Sequence, residues 1–316
     1  MTRLFLALLF LFAAATPSAA ADRGPDQVFK LWPANMPGAG GPRGPEKIGE
    51  KGSAKGAVTN VTTPRMEIYR PAKPNGAAVL VIGGGGYFRI QIASAAVPTA
   101  RWLQARGVTA VVLYYRLPGD GWNADAPFQD GQRAMRLLRA NADRLQIDPK
   151  RIGVLGFSAG GHLAGMMATR GGHDFYPPGD VADRVSAIPD FAAMIYPVVS
   201  MRAPIDTTRT AKHLSVLPGY RDTMSVEALV TAQTPPIFLA HAADDPIADP
   251  EHSQRLYAAM RAAKRPVELH LFERGGHSWG LGKRGEPVAA WPRLFAAWAR
   301  ANGWLPQPAK DAAQAD

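Results

Sequence analysis

The chain has 316 residues, 47% hydrophobic and 20% charged, with 36 Lys and Arg against 26 Asp and Glu and no cysteine. That content suffices for a sizeable α/β core and excludes wholesale disorder. The missing cysteine excludes disulfides, thiolate metal sites and a cysteine nucleophile. The net charge of +10 is spread along the chain without a dense Lys/Arg tract. It describes a basic surface open to acidic polymers, with no nucleic-acid reader among its motifs.

Residues 1–21 read as a secretory signal, with Arg3 as the positive start, Leu4 to Ala15 as the apolar stretch and Ala19-Ala20-Ala21 as the small-residue cleavage site. As a helix the apolar stretch reaches about 18 Å, short of the ~30 Å hydrocarbon core. Cleavage is therefore expected, with a secreted or periplasmic destination and no membrane association afterwards. Residues 22–57, including WPANMPGAGGPRGPEKIGEKGSAKG from Trp32, are too rich in Pro and Gly for regular helix or a central strand. They are expected as an irregular N-terminal arm laid over the main domain and pinned by Trp32 and Met36.

The main domain is expected over 58–305. Residues 58–62 and 66–69 read as extended edge segments, and Ala77 to Ile82 as a buried strand running into four glycines. A helix over 93–106, a buried strand over 108–115 and a helix over 130–142 follow. A strand at 152–155 precedes a helix that starts just after Ser158. Strands are expected at 192–196, 237–240 and 267–272, with helices at 251–263 and 288–302. Residues 197–235 read as an excursion over the sheet rim, and 306–316 as a flexible tail. Alternating apolar strands and amphipathic helices predict an α/β fold, one mostly parallel sheet covered by helices on both faces.

Gly156-Phe157-Ser158-Ala159-Gly160 forms a Gly-x-Ser-x-Gly pattern between predicted strand and helix. Small residues there let strand and helix approach, so that Ser158 Oγ projects from a strained turn. The helix behind it leaves free N–H groups where negative charge develops. The glycines at 83–86 end another strand without side chains to crowd a ligand, and the N–H groups of Gly85, Gly86 and Ala159 are the expected oxyanion donors. The loop matches neither the phosphate-loop nor the dinucleotide pattern.

A serine hydroxyl needs a base. Of seven histidines, His277 lies in a glycine-flanked loop directly after a strand, where open α/β sheets place their ligands. His162 suits support of the turn, His270 lies within a strand, and His241 suits support of the acid's loop. That loop offers Asp244 and Asp245; Asp245 is preferred as the acid, and the other is free to hold the turn through backbone N–H groups. No HExxH or EF-hand pattern is present, so neither metal nor cofactor is expected.

With these residues the chain resembles an α/β-hydrolase of the acetylesterase kind, especially exported carbohydrate and xylan O-acetylesterase-like proteins often labelled xylanase-like. GGGGYF at 83–88, YYRLP at 114–118, GFSAGGHLA at 156–164, TPPIFLAHAADDPI at 234–247 and GGHSWG at 275–280 carry the resemblance. It implies the α/β-hydrolase fold, Ser158 as nucleophile, His277 as base and Asp245, four residues beyond His241, as acid. Gly83 stands where lipase-like relatives often have histidine, which points away from long-chain lipids.

The expected activity is a serine carboxylesterase hydrolysing short-chain, acetyl-type esters carried on carbohydrate, through a Ser-His-Asp acyl-enzyme, with a small-molecule or oligosaccharide ester as its partner. A lipase or aryl esterase, a serine peptidase and a non-catalytic glycan-binding protein stay open as alternatives. Tyr87 and Trp279, with Phe88 and Trp122, are candidates to line the substrate cleft. Arg89 and Arg116 are candidates to meet acidic sugar substituents, Arg116 being better suited to loop support. The sequence carries no sign of oligomeric state.

Overall fold

The computed structural model of the protein describes residues 24–306 except 34. The segment read as a signal and the tail after 306 lie outside the described residues. Its strands are β1 (Gln27–Lys30), β2 (Lys47–Ile48), β3 (Ala57–Thr59), β4 (Arg65–Tyr69), β5 (Ala78–Ile82), β6 (Ile90–Gln91), β7 (Thr109–Tyr114), β8 (Ile152–Phe157), β9 (Phe191–Ile195), β10 (Ile237–Ala242) and β11 (Val267–Phe272). The helices are α1 (Val97–Gln104), α2 (Ala126–Ala140), α3 (Ala142–Leu145), α4 (Ala159–Arg170), α5 (Arg209–Leu214), α6 (Tyr220–Thr223), α7 (Glu251–Ala262) and α8 (Trp291–Ala301).

Eight strands form one sheet in the order β1-β4-β7-β5-β8-β9-β10-β11. Strands β5 and β7 to β10 are buried at every residue, as continuous runs of Val, Ile, Leu and Ala must be when both faces are covered. Each Val, Leu or Ile side chain taken from water in this way contributes about 1.5–3 kcal/mol. From β7 to β11 every pairing is parallel, while β1 and β4 run antiparallel at one edge. The carboxyl ends of β5, β8, β10 and β11 therefore open on one rim, which is what gathers the site.

Side-chain alternation separates the two helical layers. Phe191 sends its ring to Phe295 and Trp298 of α8, and Trp102 of α1 also meets Phe295. Met194, an odd number of residues along β9, instead faces Gly165 of α4, where an added Cβ would lie 2.8 Å from the methionine Cε.

The arm is not irregular throughout, as its composition suggested. Gln27–Lys30 pairs antiparallel with β4 as the sheet edge, its residues alternating between half-buried and exposed. Lys47–Ile48 joins β3 and β6 in a small antiparallel sheet. Trp32 pins the arm as expected: its indole N–H donates to Asp130 Oδ1 at 2.7 Å, and its ring meets Tyr176 edge-on. Arg116 completes this anchor from the core. Its guanidinium donates to Asp130 and to the Pro37 carbonyl, and the Arg116–Asp130 pair is fully buried. Burial holds the Asp130 carboxyl above the usual range despite the pull of Arg116.

Candidate active site

Strand β8 ends at Phe157 and α4 begins at Ala159, so the whole reversal falls on Ser158, with φ +53° and ψ −118°. For a non-glycine residue that conformation is strained and must be held by its surroundings. The Ser158 N–H donates to Ile195 O at 3.0 Å, and the Ser158 carbonyl accepts from His162 and Val198. Small neighbours are obligatory: a Cβ on Gly156 would lie 2.0 Å from Gly160 O, and one on Gly160 would lie 2.4 Å from Ile82 O.

The loop after β11 brings His277 to this turn. Ser158 Oγ lies 2.8 Å from His277 Nε2, and His277 Nδ1 lies 2.6 Å from Asp245 Oδ2. A nitrogen facing a carboxylate carries the proton, so Nδ1–H donates to Asp245 and Nε2 is left to accept from the serine. Asp245 follows β10 and is itself held: Oδ1 accepts from the N–H groups of Ile247 and Ala248 at 2.8 and 2.9 Å. His241 Nε2 adds a contact to Oδ2 at 3.3 Å while also meeting Ala248 O at 2.9 Å, and its Nδ1 accepts from Ser253 Oγ at 2.8 Å. Burial alone would raise the Asp245 carboxyl, but the hydrogen bonds from His241 and His277 hold it well below the usual carboxylate range.

Asp244 takes the other task foreseen for this pair, accepting from the N–H groups of Gly275 and Gly276 at 2.9 and 2.7 Å. Tyr196 backs the histidine with its ring, 4.8 Å centroid to centroid, and its hydroxyl accepts from the Gly280 N–H.

A cavity of about 550 Å³ opens over this hydrogen-bonded line. Gly84, Gly85 and Gly86 form one wall, and the excursion returns Thr207 to Thr210 as another. Gly85 has φ +127° and Gly86 φ +62°, left-handed backbone that favours glycine. Neither of their N–H groups donates to another group among the described residues. With the first N–H of α4, on Ala159, they remain available to a bound oxygen.

Three expectations about the lining need correction. Tyr87 does not face the cavity. It is fully buried against Tyr115, Phe128 and His162, and its hydroxyl donates to His162 Nδ1 at 2.9 Å, because His162 Nε2–H is taken by Met224 O. Burial lowers the His162 pKa to about 4, so this imidazole stays neutral and structural. Trp279 stands behind the site, edge-on to Tyr196 at 4.5 Å and outside the cavity lining. Trp122 is also elsewhere, donating to Val61 O beside the arm. Phe88 and Arg89 do line the cavity, joined by Arg209, which no motif marked because its place depends on how the excursion folds back.

A family model described as BD-FAE matches residues 66–260. The chain belongs to the BD-FAE family. The expected likeness to xylan esterase-like carboxylic ester hydrolases of the α/β-hydrolase fold is met by its relatives. It is 28% identical to an acetylxylan esterase of Xylanibacter ruminicola over 69% of this chain and 44% of that protein. It is 30% identical to endo-1,4-beta-xylanase B of Butyrivibrio fibrisolvens over 63% of this chain and 32% of that protein. The chain thus spans less than half the length of these curated relatives. Among solved structures, the acetyl ester-xyloside bifunctional hydrolase of Caldicellulosiruptor lactoaceticus superposes with a TM-score of 0.74 at 33% identity, covering 91% of this chain and 100% of that one. A Thermogutta terrifontis esterase, at 24% identity and a TM-score of 0.68 over 78% of this chain and 93% of its own, shares the fold.

Proposed function

We propose that the protein is a serine carboxylesterase that removes short acyl groups, acetyl foremost, from carbohydrate. The observation that carries this reading is the unbroken line Asp245–His277–Ser158, with contacts of 2.6 and 2.8 Å, facing the unpaired N–H groups of the glycine loop. Ser158 Oγ attacks the ester carbonyl as its proton passes to His277 Nε2. The N–H groups of Gly85, Gly86 and Ala159 receive the developing oxyanion, each donor supplying about 3 kcal/mol by comparison with such sites elsewhere. His277 then protonates the leaving sugar oxygen, and the acyl group stays on Ser158. Water attacks the acyl-enzyme with the same imidazole as base, while Asp245 holds the ring tautomer and stabilises the imidazolium.

Acetyl is favoured because the similar proteins carry the names acetylxylan esterase, acetyl ester-xyloside hydrolase and, in Pseudomonas putida, ethyl acetate hydrolase. The deciding experiment compares hydrolysis of C2, C4 and C8 p-nitrophenyl esters with acetate release from acetylated xylan, for wild type and Ser158→Ala. Fastest turnover of C2 with acetate release, both lost in Ser158→Ala, is expected. Preference for C8 without release of acetate from the glycan would defeat the carbohydrate reading. The exported destination is part of the same proposal, supported by the Arg3, Leu4–Ala15 and Ala19-Ala20-Ala21 pattern. Its test is the N-terminal mass of the protein recovered outside the cytoplasm.

A further inference from the structure

We infer that the cleft selects an ester whose alcohol portion carries a carboxylate, that is, an acetylated glycan bearing uronate groups, through Arg89 and Arg209. This rests on the esterase reading and narrows its substrate class. The two arginines come from different segments, one following the glycine loop and one beginning α5, and both line the cavity above Ser158. Their guanidinium carbons lie 5.1 and 4.6 Å from the centroid of one ring, that of Phe88. Their stems pack against the oxyanion loop: a Cβ on Gly85 would meet Arg89 Cγ at 2.8 Å, and one on Gly86 would meet Arg209 Cβ at 3.1 Å. An anion held there shares the cavity with the ester at Ser158.

Neither cation is neutralised among the described residues. Arg65, Arg116, Arg133, Arg136 and Arg139 each face a carboxylate. Arg89 and Arg209 have no ion-pair partner among the described residues, and no Asp or Glu lines the cavity. Arg89 Nε is buried without an acceptor, and another of its nitrogens reaches only Ser53 Oγ, at 3.5 Å. Burial, then the neighbouring Arg209 charge, lowers the Arg89 pKa. Two guanidiniums brought together without a counter-charge are disfavoured until an anion arrives, and a carboxylate offers both the charge and the acceptor geometry they fit. The acetyl group is neutral, so the charge belongs on the sugar side.

The test measures kcat/KM on acetylated xylo-oligosaccharides with and without a glucuronate branch, with p-nitrophenyl acetate as the uncharged reference. About a tenfold preference for the branched substrate is expected, expressed in KM and shrinking in about 0.5 M salt. Arg89→Gln and Arg209→Gln each reduce the preference several-fold, the double variant abolishes it, and Arg209→Lys, which keeps the charge but not the planar fork, retains only part of it. Free glucuronate should also inhibit p-nitrophenyl acetate hydrolysis competitively, and glucose at equal concentration should not. Equal kcat/KM for the two glycans, or variants that lower both alike, would overturn the inference while leaving the esterase reading standing. So would a preference confined to acidic acyl groups on neutral alcohols. No hydrolysis of p-nitrophenyl acetate by wild type would remove the esterase reading, and this inference with it.

Discussion

Asp244 and Asp245, adjacent in sequence, hold the same loop in two different ways. Asp244 accepts from the backbone of Gly275 and Gly276, and Asp245 accepts from the imidazole of His277. One fixes where the loop runs, the other which way the ring faces and which nitrogen carries the proton. Their variants should separate accordingly. Asp245→Asn is expected to lower kcat by about 10³–10⁴, since an amide no longer enforces the tautomer. Asp244→Ala, at an exposed site where water can replace the carboxylate, is expected to cost about tenfold. Steady-state p-nitrophenyl acetate hydrolysis, with circular dichroism to check the fold, measures both.

The stability contributed by Asp245 depends on pH. Its pKa is lower folded than unfolded, so the contribution is present above the unfolded carboxylate value of about 3.9 and is lost as pH falls through the folded one. His241→Leu removes one of the hydrogen bonds that depress it. The gap in Tm between wild type and His241→Leu is therefore expected to be widest at about pH 5–8 and to narrow below about pH 4. Calorimetry across that range measures the gap; a constant gap down to the acid limit would contradict the assignment.

Tyr87 belongs to the core, not to substrate. Removing its hydroxyl leaves His162 Nδ1 buried without a donor, so Tyr87→Phe is expected to cost about 1–2 kcal/mol in urea denaturation with KM for p-nitrophenyl acetate unchanged. A raised KM at unchanged stability would return Tyr87 to the cleft.

Gly84 couples the glycine loop to Ser158. A Cβ there would lie 2.6 Å from Phe157 O and 2.9 Å from Ser158 Cβ, against the turn that presents the hydroxyl. Gly84→Ala is expected to lower kcat by roughly a hundredfold or more through displacement of that hydroxyl, because a shift near 1 Å has such an effect. Active-site titration separates this from loss of folded protein.

The parts of the fold legible in sequence were those written in local patterns. The apolar runs read at 77–82, 108–115 and 152–155 are strands covered on both faces, within a residue or two of those bounds, and the glycines beside Ser158 serve a tight turn. Gln27–Lys30 escaped notice because four residues beside a Pro- and Gly-rich arm carry too little periodicity, and only β4 across the edge makes them a strand. Tyr87 and Trp279 were misassigned because an aromatic next to a loop has no local mark of which way its ring turns; here Phe128 and Tyr196 decide it. Arg209 was invisible for the opposite reason. Its position over the cleft depends wholly on the path of residues 197–235, which no short motif encodes.

The most direct test of the Ser158–His277–Asp245 line is stoichiometric reaction with a p-nitrophenyl phosphonate, read by intact-protein and peptide mass spectrometry. One adduct per chain is expected, located on Ser158, forming in step with loss of p-nitrophenyl acetate hydrolysis and absent from Ser158→Ala and strongly slowed in His277→Ala. Hydrolysis that persists in Ser158→Ala, or a fully active enzyme whose adduct lies on another residue, would contradict it.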